Sequence, residues 1–587
     1  MRRGIAVSPG VAVGTAYCIN EIFLNLGRPS CAAIDVASEL AQYEKARERA
    51  QQDLTALEAS VAKEAGRDAA EIFAAQAAIL RDMAFVNNVR TWIVDEQISA
   101  HAALDKLYEQ YKAVFSRVQD DYLRQRLDDI RDVIQRVASH LLGPISNTLD
   151  GLEGPLIVVA DELLPSQVVS LGKMAVVGIV TQGGSQTSHA AIVARSRGIP
   201  AVSGVRDILR QVQTGDTIVV DGREGRVLVN PDAETRMAYL KLEREFFDFQ
   251  DHLAENRDQP AQTSEGTPLE LLANVNSVTD AEAAKAMGAT GVGLFRTEYL
   301  YLMHPVVPGE EEQYQEYCQV IRTSPGHRVT IRTLDLGGDK TLPFVGRAHR
   351  ESNPFMGWRS IRLCFEHQEL FTIQLRAILR AADLARQLDG EVRMMFPMIT
   401  TLEEIHRVHR LVAGVRRQLT REGQRFADVP IGIMVEVPAA AITISSMLPQ
   451  VDFVSIGSND LVQYLMAADR DNPKVAHLCQ PLAPAVLQVL SDVIRKCNAA
   501  RRRVTVCGEM AGQPRAFTLL LGMGVRSFSM SPAFIPYIKE LSRHLTLEEA
   551  TRISDHALTF HTTAKITRYL TEQLARLVPD FGRLGLN

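Results

Sequence analysis

The sequence predicts a multidomain α/β protein: an α/β unit interrupted by a helical insert, a charged linker helix, and a C-terminal (β/α)8 barrel. Three observations predict it. The chain has 587 residues, too many for one ordinary core. From Cys31 to Leu142 there is no proline and a single glycine, Gly66, while apolar residues recur every three or four positions. The C-terminal half alternates eight Val/Ile/Met-rich runs with helical connections.

Taken in order, GIAVSPGVAVGTAYCI reads as strand, and the helical block that follows ends at Gly143-Pro144. After it, GPLIVVADEL, MAVVGIVTQGG, IPAVSGV, DTIVVDG and GRVLVNP are short strands bounded by Gly, Asp and Pro. The expected division is an α/β domain of residues 1–30 plus 144–231, with a helical insert at 31–143. A charged linker helix is expected over 232–260, giving way to a turn-rich joint around 258–266. The barrel is expected over 261–575, with strands at 269–275, 291–296, 328–335, 391–398, 431–437, 451–457, 503–509 and 525–531. A doubly wound open sheet is the competing topology for that half.

Composition narrows the function classes. Hydrophobic residues make up 46% and charged residues 23%, the balance of a globular protein. The net charge of −6, from 64 basic and 70 acidic side chains, does not favour nucleic acid. No run of about 18 apolar residues occurs, so no membrane span is expected. Pro and Gly interrupt the segment after Arg2 and Arg3, so no signal peptide is expected either. Seven scattered cysteines without a CxxC pair suit a reduced, cytoplasmic protein.

Barrel enzymes place their chemistry at the C-terminal ends of strands. Those ends carry Arg296, Arg332, Glu436, Asn459, Asp460 and Cys507. Arginine forks pair with carboxylate and phosphate, and hard carboxylate oxygens suit Mg²⁺, which shares substrate phosphate oxygens. Such a set is what a bound polyanion with a divalent metal requires. A second cluster, Gly183-Gly184-Ser185-Gln186-Thr187-Ser188-His189, reads as a glycine turn entering a helix, where N–H groups can meet an anion. His189 at that point either accepts a phosphoryl group or simply packs at a helix start. Cys507 is either a proton donor or a small buried hydrophobe.

GGSQTSHAAIVARSRGIPAV resembles the phosphohistidine segment shared by Enzyme I of the phosphoenolpyruvate–sugar phosphotransferase system and the pyruvate,phosphate dikinases. GLFRTEYLY, IRTLDLGGDK, NPFMGWRSIR, GIMVEVPAA, SIGSNDLVQYLMAADRDNP, VCGEMAG and LLGMGVRSFSMSP are similar to the barrel motifs of those families, in the same order. Dikinases need a nucleotide-binding domain ahead of the histidine; here a helical insert similar to a carrier-docking subdomain stands there instead. The resemblance is therefore to Enzyme I. It implies a swivelling phosphohistidine domain and a phosphoenolpyruvate-binding barrel. It also implies phosphoryl transfer from phosphoenolpyruvate to His189, then to the phosphocarrier protein HPr, and a homodimer through the barrel.

By that resemblance Arg296, Arg332 and Arg470 bind phosphoenolpyruvate with Asn459 and Asp460. Glu436 and Asp460 hold Mg²⁺, and Cys507 protonates the enolate carbon. Arg359 and Lys340 lie in matching motifs as further phosphate contacts. The chain departs from the family pattern at Ser185, which replaces a second glycine, and at Ser458, where Thr is common. Gln76 stands where many members have His, and Met83 where Pro is common, so the carrier surface is expected to have its own specificity.

Overall fold

The Val- and Ile-rich runs on either side of the helical block pair into one mixed sheet. Its strands are β1 (Arg2–Arg3), β2 (Ile5–Ser8), β3 (Val11–Ile19), β4 (Leu156–Ala160), β5 (Val176–Thr181), β6 (Ala201–Ser203), β7 (Thr217–Asp221) and β8 (Arg226–Val229). The order is β1-β8-β7-β3-β4-β5-β6-β2, with β3 to β6 running parallel and the outer strands antiparallel. β4 is buried at every residue, as a central parallel strand covered on both faces must be.

The computed structural model describes residues 1–8, 10–19, 35–64, 76–77, 79–115, 130–134, 136–138, 140–141, 154–161, 163, 176–183, 194, 199–302, 307–337, 353, 356–470, 472 and 474–579. The chain divides into two units, Met1–Asp248 and Phe249–Asn587.

Between β3 and β4 in sequence lie the helices α1 (Val36–Glu64), α2 (Met83–Asp95) and α3 (Ala100–Phe115). Their apolar stripes, together with Val133 and Ile134 farther along the chain, form a separate core containing Tyr43, Leu54, Phe85, Val89, Leu104 and Leu107. Gln76 sits inside this core, fully buried, and its amide donates to Asp132 at 3.1 Å. The Gln76 departure therefore acts on the packing of the insert, not on an exposed face. The sequence pattern could not show this, because a polar residue on an amphipathic stretch reads as solvent-facing. Helix α4 (Ala233–Glu255) follows β8, and Tyr239, Leu240 and Leu242 cover Val11, Val13 and Val219 of the sheet.

In the second unit the strands are β9 (Glu270–Val275), β10 (Val292–Arg296), β11 (Arg328–Arg332), β12 (Glu391–Phe396), β13 (Ile431–Val435), β14 (Phe453–Ile456), β15 (Arg503–Val506) and β16 (Ser527–Met530). All pair in parallel, and β16 returns to β9 to close the barrel. The eight expected strands are present and the open-sheet alternative is excluded. Several are shorter at the C-terminal end than the apolar runs suggest, so Asp335, Met398, Glu436 and Cys507 lie just past the ladder. Release from the ladder is what lets these residues turn into the mouth.

The connecting helices include α5 (Val278–Ala286), α6 (Glu310–Thr323), α7 (Gln368–Gln387), α8 (Leu402–Arg421), α9 (Pro438–Met447), α10 (Ser458–Met466), α11 (Pro484–Ala499), α12 (Pro514–Gly522), α13 (Ile535–Arg543), α14 (Leu547–Ala557) and α15 (Thr563–Leu577). Local sequence starts them. Ser277 caps α5 by accepting from Asp280 N, Thr401 and Glu404 form a capping box on α8, and Pro opens α9, α11 and α12. Inside the barrel, Leu294, Met395, Met434, Phe453 and Cys507 pack as an apolar plug.

Candidate active site

Strand ends carry the site outward from that plug. Arg296 ends β10, Arg332 ends β11, Glu436 stands one residue past β13, and Cys507 one past β15. Asn459 and Asp460 occupy the first turn of α10, directly after β14, and Arg470 follows that helix. Arg359 comes from the segment between β11 and α7. His189, Ser185 and Lys340 lie outside the described residues.

The charged groups alternate in sign. Arg332 Nη2 donates to Glu298 Oε1 at 2.7 Å, and Nη1 lies 3.0 Å from Asp335 Oδ2. Asp335 Oδ1 is 2.9 Å from Arg359 Nη2, which is also 3.7 Å from Asp460 Oδ2. Asp460 Oδ1 in turn faces Arg470 Nη1 at 3.4 Å. Burial opposes ionisation of Asp335, yet Arg332 and Arg359 hold its carboxyl well below the usual range. Arg296 makes no ion pair among the described residues; burial, then repulsion from Arg332, lowers its pKa. A half-buried guanidinium in that position is an attractor for an added anion.

Backbone geometry places these groups. Gly337 has φ +116°, and a Cβ there would stand 2.4 Å from Trp358 O and 2.7 Å from Arg359 Cα, so only glycine allows the approach that delivers Arg359. At Gly457 a Cβ would lie 2.8 Å from Glu436 Oε2. Met398, at φ +56°, points its N–H at Glu436 Oε1, 2.6 Å away. Asn459 is pinned across to Glu509: its side-chain oxygen accepts from Glu509 N at 3.0 Å. Ser458 is buried beside Gly508.

Glu436 is 1% exposed, and burial, then Asp460 and Asp335, push its pKa up to about 8. Two carboxylates that repel each other in a dry site favour a cation between them. Asp460 Oδ1 is buried and accepts no hydrogen bond among the described residues, and its ion pair with Arg470 at 3.4 Å is long enough for a cation to displace. No group of three or more metal-binding side chains occurs among the described residues. A pair suits an ion that keeps waters and takes the rest of its shell from a substrate. Burial pushes the Cys507 thiol up to about 11, with Glu436 adding to the rise and Arg332 and Arg296 opposing it. It accordingly stays a thiol, and its Sγ lies 3.5 Å from Ile456 O.

The strand-end reading passed over Glu298, Asp335 and Ser360. The signal was present in RTEYLY, RTLDLGGDK and WRSIR, but each stands beyond the strand end and beside a more conspicuous arginine.

Comparison with known proteins extends the same order of parts. The family described as "PEP-utilising enzyme, N-terminal" matches residues 3–126, "PEP-utilising enzyme, mobile domain" 152–225, and "PEP-utilising enzyme, PEP-binding domain" 250–547. A curated phosphoenolpyruvate-protein phosphotransferase of Bacillus sp. (strain S) is 38% identical over 569 residues, covering 97% of each chain. The chain belongs to the phosphoenolpyruvate–protein phosphotransferase family.

Membership extends along the chain's length. The namesake of Staphylococcus carnosus (strain TM300) is 38% identical over 97% of this chain and 98% of its own. That of Bacillus subtilis (strain 168) is 36% identical over 97% and 99%. The protein is thus a transferase of this family. Among the described residues no helix is long and apolar enough to cross a membrane.

Proposed function

We propose that this chain transfers the phosphoryl group of phosphoenolpyruvate to His189, releases pyruvate, and passes the group to a histidine of the phosphocarrier protein HPr. The observation that carries the reading is the buried row Arg332–Asp335–Arg359–Asp460 beside Glu436, with an Arg296 that makes no ion pair among the described residues. It offers an anion site and a cation site in one mouth. Arg296, Arg332, Arg359 and Arg470 bind the phosphate and carboxylate, Asn459 orients the ligand, and Lys340 adds a further phosphate contact. Glu436 and Asp460 would hold Mg²⁺, which neutralises phosphoryl charge when bound.

The chemistry balances within these groups. Neutral His189 attacks phosphorus, an N–P bond forms, and the enolic C–O–P bridge breaks at the P–O bond. The enolate carbon then takes the proton of the Cys507 thiol, which its raised pKa keeps in place, and solvent restores that proton. Transfer onward to HPr uses the same phosphohistidine, with the helical insert as the docking element. A homodimer through the barrel and a cytoplasmic location belong to the same reading.

The deciding experiment incubates the protein with labelled phosphoenolpyruvate and Mg²⁺ without nucleotide. An acid-labile, base-stable adduct is expected, and His189→Ala should abolish it while the barrel still binds phosphoenolpyruvate. No adduct in the unaltered protein would sink the reading. Labelling that requires a nucleotide would favour a dikinase-like activity.

A further inference from the structure

We propose that Asp335 is the positioning residue of the mouth: it holds the guanidiniums of Arg332 and Arg359 at a fixed spacing so that both meet one phosphoryl group. The inference rests on the phosphotransfer reading above and adds a residue to it.

Asp335 is the centre of an alternating row, Glu298–Arg332–Asp335–Arg359–Asp460–Arg470, in which each carboxylate separates two like charges or ends the row. The row is not uniform. Around Asp335 the separations are 3.0 and 2.9 Å, and Glu298 closes that end at 2.7 Å. At Asp460 they lengthen to 3.7 and 3.4 Å. Short contacts in a dry setting are strong and long ones are readily exchanged, because the interaction falls with distance and with loss of hydrogen-bond geometry. Asp460 can therefore give up its arginines to a cation and a ligand, while Asp335 keeps its own.

The backbone is committed to the same end. The Asp335 N–H donates to Glu298 Oε1 at 3.1 Å, so one carboxylate fixes both Arg332 and the chain that carries Asp335. Ser360 donates its hydroxyl to Asp335 Oδ1, and Arg359 Nε reaches the same oxygen at 3.3 Å. Ser360 adopts φ 55°, ψ −127°, a conformation that costs a non-glycine residue energy and persists only where its surroundings impose it. Strain spent on bringing Ser360 and Arg359 together onto Asp335 is unexplained if Asp335 merely neutralises charge.

A double-mutant cycle on the full chain separates positioning from general support. PEP-dependent pyruvate release is measured at saturating Mg²⁺ with carrier present. Asp335→Asn keeps shape but removes the charge; kcat/KM is expected to fall about 100-fold, chiefly through KM. In an Arg359→Ala background the same change should cost clearly less, about tenfold, because one of the two residues it positions is gone while Arg332 remains. Equal losses in both backgrounds, or a fall in kcat with KM unchanged, would overturn the proposal. If Asp335→Asn does not fold, Ser360→Ala decides instead: KM should rise about threefold with the melting temperature little altered, and an unaltered KM rejects the idea. An unaltered protein that releases no pyruvate from phosphoenolpyruvate would reject the phosphotransfer reading itself. Activity with an indifferent Asp335→Asn rejects the Asp335 role alone.

Discussion

Glu436 ties stability to pH through one buried carboxylate and, under the proposed function, to Mg²⁺ as well. Its pKa of about 8 lies above that of a carboxylate in the unfolded chain, because burial and then Asp460 and Asp335 disfavour its charge. Between about pH 4.5 and 8 the metal-free folded protein therefore holds a proton that the unfolded chain has released, so its stability falls as pH rises through that window. Glu436→Gln should raise the melting temperature of metal-free protein above pH 8, by on the order of 2 kcal/mol in stability, and change little near pH 5. The same variant should lose the stabilisation that added Mg²⁺ gives the unaltered protein. A variant that still responds to Mg²⁺ would remove Glu436 from the metal set.

At the scale of elements, the mouth is tied to helices α6 and α7 by buried hydrogen bonds to the backbone that carries Arg332. Gln374 on α7 accepts from Leu334 N at 2.9 Å and donates to Thr297 Oγ1 at 3.1 Å, while Thr297 donates to Arg332 O at 3.0 Å. The Tyr317 hydroxyl of α6 lies 3.3 Å from the same amide and donates to Gln313. All of these groups are buried, so deleting the amide strands several polar atoms at once. Gln374→Ala is expected to destabilise the protein by about 3 kcal/mol in denaturant unfolding and to raise KM for phosphoenolpyruvate. Loss of stability with an unaltered KM would show that the network supports the barrel without tuning Arg332.

For the whole molecule, the reading separates two half-reactions. Under the proposed function the Mg²⁺ ligands Glu436 and Asp460 lie in one unit and His189 in the other, so chelation should block only one of the two steps. Protein labelled from phosphoenolpyruvate, desalted and treated with a chelator, should pass its label to the carrier at an undiminished rate but fail to be relabelled. A chelator that stops both steps would contradict the division. Much of this was legible in one dimension. Strand count, helical insert and linker helix follow from apolar period, which reports the face each element buries. Arg296, Arg332, Glu436, Asp460 and Cys507 follow from their place at strand ends, because the barrel makes sequence position a guide to depth. The sequence by itself determined the order of parts and the chemistry available to them. The tertiary structure decided what pairs with what: Gln76 inside a core, Asp335 between two arginines, and Cys507 at once part of an apolar plug and a thiol within reach of the site's charges. Such pairings join residues far apart in sequence, and their strength depends on burial and on angstroms of separation, which no local pattern encodes.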